Sequence, residues 1–190
     1  MAREIGFNHV TTRGGDDGNT TLFSGERRVK ADAVFHALGD LDELTSWIGV
    51  VRARHADGWT GALRGLESEL YDSQTMLSRI SALLACNPAA PVYARLHPVE
   101  DADIEALELR EARLMNVTEI GDEFVVPGAT VCSAEIDYAR AMCRRCERRV
   151  VAVIRAPERP RPDLHLAQRY LNRLSDFLFV AARAAEQAAD

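Results

Sequence analysis

The chain has 190 residues, 47% of them hydrophobic, enough for a core that folds without cross-links. A net charge of −6 and a pI near 5.4 exclude a general basic field for nucleic acid. No stretch approaches the ~18 apolar residues of a membrane span, and no apolar run of signal-peptide length precedes Thr11, so a soluble cytoplasmic protein is expected.

Residues 1–31 are rich in Gly, Thr, Asp and Arg and carry no helical period. They predict an ordered or partner-bound arm at the start of a single domain spanning 1–190. Beyond it the helical period dominates. Helix one is expected over 32–54, with Val34, Leu38, Leu41, Leu44, Ile48 and Val51 on one stripe, ending at Asp57-Gly58. Helix two is expected over 61–86, capped by Thr60, with Leu63, Leu66, Leu70, Leu77, Ile80 and Leu84 inward and Asn87-Pro88 as its stop.

Pro98 and Asp101 open a third helix over about 99–119. A loop with Gly121, Pro127 and Gly128 follows, and Ser133 is the expected N-cap of helix four over 134–155. The segment Pro157–Pro162 holds three prolines and reads as a stiff linker. Asp163 is expected to cap helix five over 164–187, with Leu164, Leu171, Leu174, Leu178 and Ala181 or Ala182 inward. No strand pair with hairpin chemistry and no long repeat stands out. The expected architecture is all-α: a five-helix bundle with a non-helical N-terminal arm.

Four stretches carry chemistry. The first is Thr11-Thr12-Arg13-Gly14-Gly15-Asp16-Asp17-Gly18-Asn19-Thr20-Thr21. Its three glycines permit close backbone approach, and its hydroxyls and N–H groups suit phosphate oxygens. It is not a Walker loop, because no Gly-Lys-Ser/Thr follows. Both a phosphate cradle and a solvated arm fit it. The second is Gly39-Asp40-Leu41-Asp42-Glu43-Leu44, either a wet helix face or a partner surface; Asp42, beside Leu38 and Leu41, is the better candidate for a partner.

The third is helix four, where Arg140, Arg144 and Glu147 recur at i, i+4 and i+7 and share one face. With Arg145, Arg148 and Arg149, five arginines fall within ten residues. They repel one another unless an anion such as a triphosphate offsets them, and the guanidinium fork suits phosphate. A solvated face with Glu147 as intrahelical partner is the plainer alternative. The fourth is Tyr170-Leu171-Asn172-Arg173-Leu174-Ser175-Asp176-Phe177-Leu178-Phe179, with Asn172 beside the apolar stripe, a costly place for an unpaired amide.

Other chemistry finds no pattern. Cys143 and Cys146 have half a zinc spacing without a second pair and read as small apolar helix residues; Cys86 and Cys132 complete the set. His9, His36, His55, His97 and His165 form no metal spacing, and none stands three residues after a glutamate. Nucleophile-elbow and triad orders are absent. Lys30 is the only lysine among 23 basic residues.

Taken together these runs resemble the PduO-type ATP:cob(I)alamin adenosyltransferases. The matching segments are Thr12 to Thr21, Gly25-Glu26-Arg27-Arg28-Val29-Lys30, Gly39 to Leu44, Phe124-Val125-Val126-Pro127-Gly128, Cys143 to Val150 and Tyr170 to Asp176. Each alone is a weak signal; all six in register are specific. The resemblance implies a homotrimer with each active site between two subunits. ATP would be gripped by the arm (Thr12, Arg13, Gly14, Gly15, Asp16, Asp17, Gly18, Asn19, Thr20) and Lys30, joined by Arg144, Arg145, Glu147, Arg148 and Asn172.

Asp42 would pair with Arg140 across the subunit boundary. Phe124 would enter the space beneath the corrin ring and displace the lower axial ligand, leaving cobalt easier to reduce. Cobalamin and ATP would be substrates, with Mg²⁺ at the triphosphate and no metal site made by the protein alone. A flavoprotein reductase and an adenosylcobalamin-dependent mutase would be partners. A non-catalytic adenosylcobalamin carrier is the first alternative, and a plain helical interaction module the second. Three positions depart from the pattern: Ala129 follows Gly128, and Glu135 and Asp137 are expected to bring extra negative charge near the site.

Overall fold

A computed structural model describes Gly6 and residues 11–188 of the chain; His9 and the other positions outside that span fall beyond the described residues. Among the described residues five helices carry the fold: α1 (Ala33–Arg54), α2 (Leu66–Leu84), α3 (Asp101–Met115), α4 (Val131–Ile154) and α5 (His165–Gln187). Ahead of them lies a small antiparallel pair, β1 (Asn19–Thr21) and β2 (Arg27–Val29).

The apolar stripes lie where their period puts them. Leu41, Leu44 and Ile48 of α1, Leu77 and Ile80 of α2, and Leu171, Leu174, Leu178 and Ala181 of α5 are fully buried. They belong to one contiguous core that runs from Leu22 to Ala185. Helix α4 packs chiefly on α5 and α1, α2 lies against α1, and α3 lies against α5. The far side is closed by ion pairs between α2 and α3: Arg79 with Asp103 at 3.1 Å, Arg110 with Asp72 at 2.8 Å and Arg113 with Glu69 at 2.7 Å.

Helix starts differ from the sequence expectation, each for a local reason. Helix α2 begins at Leu66, not at 61. Gly65 sits at φ +93°, which breaks any continuous helix, and Gly61–Leu63 forms a separate 3₁₀ turn after Thr60. Helix α3 opens at Asp101 on a reciprocal pairing of Glu100 with Asp103. Helix α4 is capped by Thr130 and not by Ser133. Thr130 Oγ1 accepts from the Ser133 amide at 3.0 Å while Ser133 Oγ accepts from the Thr130 amide at 3.1 Å. Asp163 does not cap α5; its carboxylate takes hydrogen bonds from Arg161 and the Tyr93 hydroxyl.

The hairpin is the element the sequence did not announce. Its strands are three residues each and mostly polar, so no alternating apolar pattern exists to read. A free hairpin of that length is marginal. This one is held by buried Leu22, by paired amides at Leu22 and Gly25, and by a tether at the end of α2. There the Asn87 amide N–H donates to Ser24 Oγ at 3.1 Å and the Asn87 side chain donates to Glu26.

Candidate active site

The arm folds into a compact turn ahead of β1. Gly18 donates to the Gly15 carbonyl at 3.3 Å and accepts from the Lys30 amide at 2.9 Å. Gly18 takes φ +79°, and Arg13 takes φ +55°, a conformation rare for a side-chain-bearing residue. Asp17 is not left to repel an anion: it accepts from the Asn19 amide at 3.1 Å and from Arg27 at 2.6 Å. Those bonds, the Asn19 amide first, hold its carboxyl below the ordinary value. Thr12, Gly14, Asp16 and Asn19–Thr20 line the same turn, mostly exposed.

Lys30 folds back over this turn. A methyl group built on Gly15 would stand 2.9 Å from Lys30 Nζ and 3.3 Å from the Asn19 carbonyl oxygen, so only a glycine leaves room for the ammonium there. The sole lysine and the glycine turn thus form one donor-rich element.

A second element lies on α4 and α5. The Asn172 amide donates to Glu147 Oε1 at 3.4 Å, and Arg173 in turn donates to the Asn172 oxygen. Arg144 and Arg148 share the Glu147 face and are exposed; among the described residues neither makes an ion pair. Arg145, expected on the nucleotide, turns to the other side of α4. It pairs with Glu43 and lies 3.4 Å from Asp40, while Arg149 reaches the same Asp40 carboxylate at 3.3 Å. The acidic run of α1 is therefore no mere wet face: Asp40 and Glu43 brace α4, and only Asp42 points away, exposed. Among the described residues no hydrogen bond or ion pair joins the arm to the Arg144 face.

A third element is a concavity of about 350 Å³ lined by Glu111, Met115, Ile120, Arg140, Asp176 and Phe179, with Val180 beside them. The Arg140 guanidinium lies 5.5 Å from the Phe179 ring centroid. Burial, reinforced by Asp176, raises the Glu111 carboxyl above the ordinary value. Phe124 stands clear of this cavity's lining on the α3–α4 loop, 92% exposed, with Val126 exposed beside it. Phe179 was quoted in the sequence without a role; its aromatic face beside Arg140 is what the fold adds.

Glu135 and Asp137 overturn an expectation. Both are buried, and neither adds free negative charge. Glu135 is paired with Arg54 at 2.5 Å and His55 at 2.8 Å, and Asp137 is paired with Arg183. Cys143 and Cys146 are buried with no metal-ligand cluster around them among the described residues. Burial pushes the Cys146 thiol up to about 12, so the thiol stays protonated at neutral pH.

The cobalamin adenosyltransferase family matches residues 10–185. A corrinoid adenosyltransferase of Citrobacter freundii is 38% identical over 95% of this chain and 97% of its own length. Corrinoid adenosyltransferase MMAB of Homo sapiens is 35% identical over 92% of this chain and 67% of its own length. Among solved structures, a variant PduO-type ATP:corrinoid adenosyltransferase from Lactobacillus reuteri, complexed with cobalamin and ATP, superposes with a TM-score of 0.81. It is 27% identical and covers 95% of this chain and 94% of its own.

Proposed function

We propose, given that the chain belongs to the cobalamin adenosyltransferase family, that it transfers the 5′-deoxyadenosyl group of ATP to Co(I) of cobalamin. The observation that carries the reading is the α4 face: Arg144 and Arg148 stand exposed, without carboxylate partners among the described residues, beside the Glu147–Asn172 pair. Unpaired cations side by side on a helix suit a polyanion.

In the transfer, the cobalt lone pair forms the Co–C bond at C5′, the C5′–O bond breaks, and its electron pair leaves with triphosphate. No general base is required. What the protein supplies is charge stabilisation for the departing triphosphate and orientation of C5′. Arg144 and Arg148 take phosphate oxygens from one side, and Lys30 with the glycine turn takes them from the other. Arg145 joins them only by leaving Glu43.

Mg²⁺ binds through hard oxygens, commonly one or two carboxylates together with phosphates. Glu147 fits that need, since it is half-buried and, among the described residues, only the Asn172 amide bonds its carboxylate. It would hold the ion against the phosphates, where Mg²⁺ supplies further neutralisation of the leaving group.

Among the described residues no hydrogen bond or ion pair joins the arm to the α4 face, and neither Asp42 nor Arg140 has an ionic partner. Both facts support an active site shared between subunits of a homotrimer, with Asp42 of one copy on Arg140 of the next. Phe124 would then reach the corrin face from its loop. Four unpaired cysteines and dependence on ATP fit a cytoplasmic setting. A flavoprotein reductase would deliver the electron, and an adenosylcobalamin-dependent mutase would take the product.

The test is to mix the protein with reduced cobalamin and Mg-ATP, follow the absorbance change of cobalt–carbon bond formation, and sediment the same sample. Adenosylcobalamin and triphosphate in equal amounts, from a species three times 21.0 kDa, are expected. Bound ATP and corrinoid without product would replace the reading with a carrier; binding of neither would leave an interaction module.

A further inference from the structure

Asp137 and Arg183 form an ion pair whose side chains are each 5% exposed, and neither lines the concavity beside Arg140 and Phe179, the one a corrinoid bound next to Arg140 would fill. Such a pair loses solvation on both sides and is weak support for stability. Its geometry points elsewhere. The Arg183 guanidinium lies 5.2 Å from the Phe179 ring centroid, and Arg140 lies 5.5 Å from the same centroid. Arg183 is fixed, held by Asp137 and placed 3.0 Å from Glu186. Arg140 has no carboxylate partner among the described residues. The two helices close the circuit, since Phe179 and Arg183 are four apart on α5 and Asp137 and Arg140 are three apart on α4.

We propose that Asp137 and Arg183 are positioning residues for the corrinoid: the buried pair fixes the Phe179 ring, and the ring fixes Arg140 in the cavity wall. Neither residue touches substrate. A planar cation over a ring is attracted to its face, the more so where water is excluded. With Arg183 immobile the ring has one preferred tilt, and Arg140, drawn to it, is presented in one direction, from which the Asp42 of a neighbouring copy can take it. An unbraced Phe179 would swing, and the cavity would admit the macrocycle in several poses.

The inference rests on the cavity being the corrinoid's, and the experiment separates the two. Replacing both partners together, Asp137→Leu with Arg183→Met, removes the clamp without stranding Asp137, and leaves only the partly exposed Glu186 without its arginine. The thermal midpoint and the KM for ATP should stay close to wild type, while the KM for cobalamin rises about ten-fold, the scale of one desolvated cation–π contact. Arg183→Lys keeps the charge opposite Asp137 but not the planar group, so it folds even where the double variant does not. It should raise the cobalamin KM about three-fold or more. Phe179→Leu reports on the wall itself. If Phe179→Leu raises the cobalamin KM and the Arg183 variants do not, the clamp is overturned and the cavity assignment stands. If none of the three changes it, the cavity is not the corrinoid wall and both ideas fall.

Discussion

At the scale of single residues, the site divides by what each side chain already holds. Arg145 and Arg149 are engaged with α1, whereas Arg144 and Arg148 are not. Loss of Arg144 should therefore act on the leaving group directly. Arg144→Ala is expected to cost about 2–4 kcal/mol in kcat/KM, the scale of one charge partner lost from a transition state. Phe124→Ala should behave oppositely: ATP affinity holds, and the absorbance and EPR spectra of bound Co(II) lose the signature of the four-coordinate ion. Wild-type kinetics in the first variant, or an unchanged Co(II) spectrum in the second, would remove that residue's role. Much of this was legible in the sequence, because Arg144, Glu147 and Arg148 share a face by helical spacing alone. The engagement of Arg145 was not, since its partners lie about a hundred residues earlier, at Asp40 and Glu43. Glu135 and Asp137 misled for the same reason: sequence displays a charge and conceals the distant cation that neutralises it.

At the scale of elements, the five helices were readable and the hairpin was not. Helices announce themselves through period and caps, and even the misplaced starts were off by a turn or so around Gly65 and Thr130. The hairpin owes its existence to tertiary contacts, above all Asn87 with Ser24 and Glu26. That dependence gives it a pH response. Hydrogen bonds from Arg28, then from Asn87, hold the Glu26 carboxyl below its ordinary value of 4.5. The unfolded arm therefore takes up the proton first as the solution is acidified. Glu26's contribution is complete above 4.5 and is lost as pH falls through the depressed value. Hydrogen exchange at the Leu22 and Gly25 amides, corrected against core amides, should stay slow down to that point and then accelerate. In Asn87→Ala the acceleration should begin at higher pH. Identical profiles for both proteins would mean that Asn87 does not secure the hairpin.

At the scale of the whole molecule, stability comes from one continuous core with charge pairs laid across its seams. The free cysteines are held as neutral thiols: burial raises Cys132 to about 11 and Cys146 to about 12. The fold leaves the groups proposed to work together at separate stations, with Lys30 and the arm at one, the α4 cations at another, and Asp42 exposed. One sequence carries all of them, yet spacing along the chain cannot say which stations meet inside a copy and which meet between copies. The placement of Lys30 also has a practical side. Apart from the terminal amine, an acylating reagent finds a single primary amine on this molecule, poised over Gly15. Its rate of labelling is thus a one-site gauge of whether the cradle is filled. Saturating ATP should slow it several-fold, and cobalamin alone should leave it untouched.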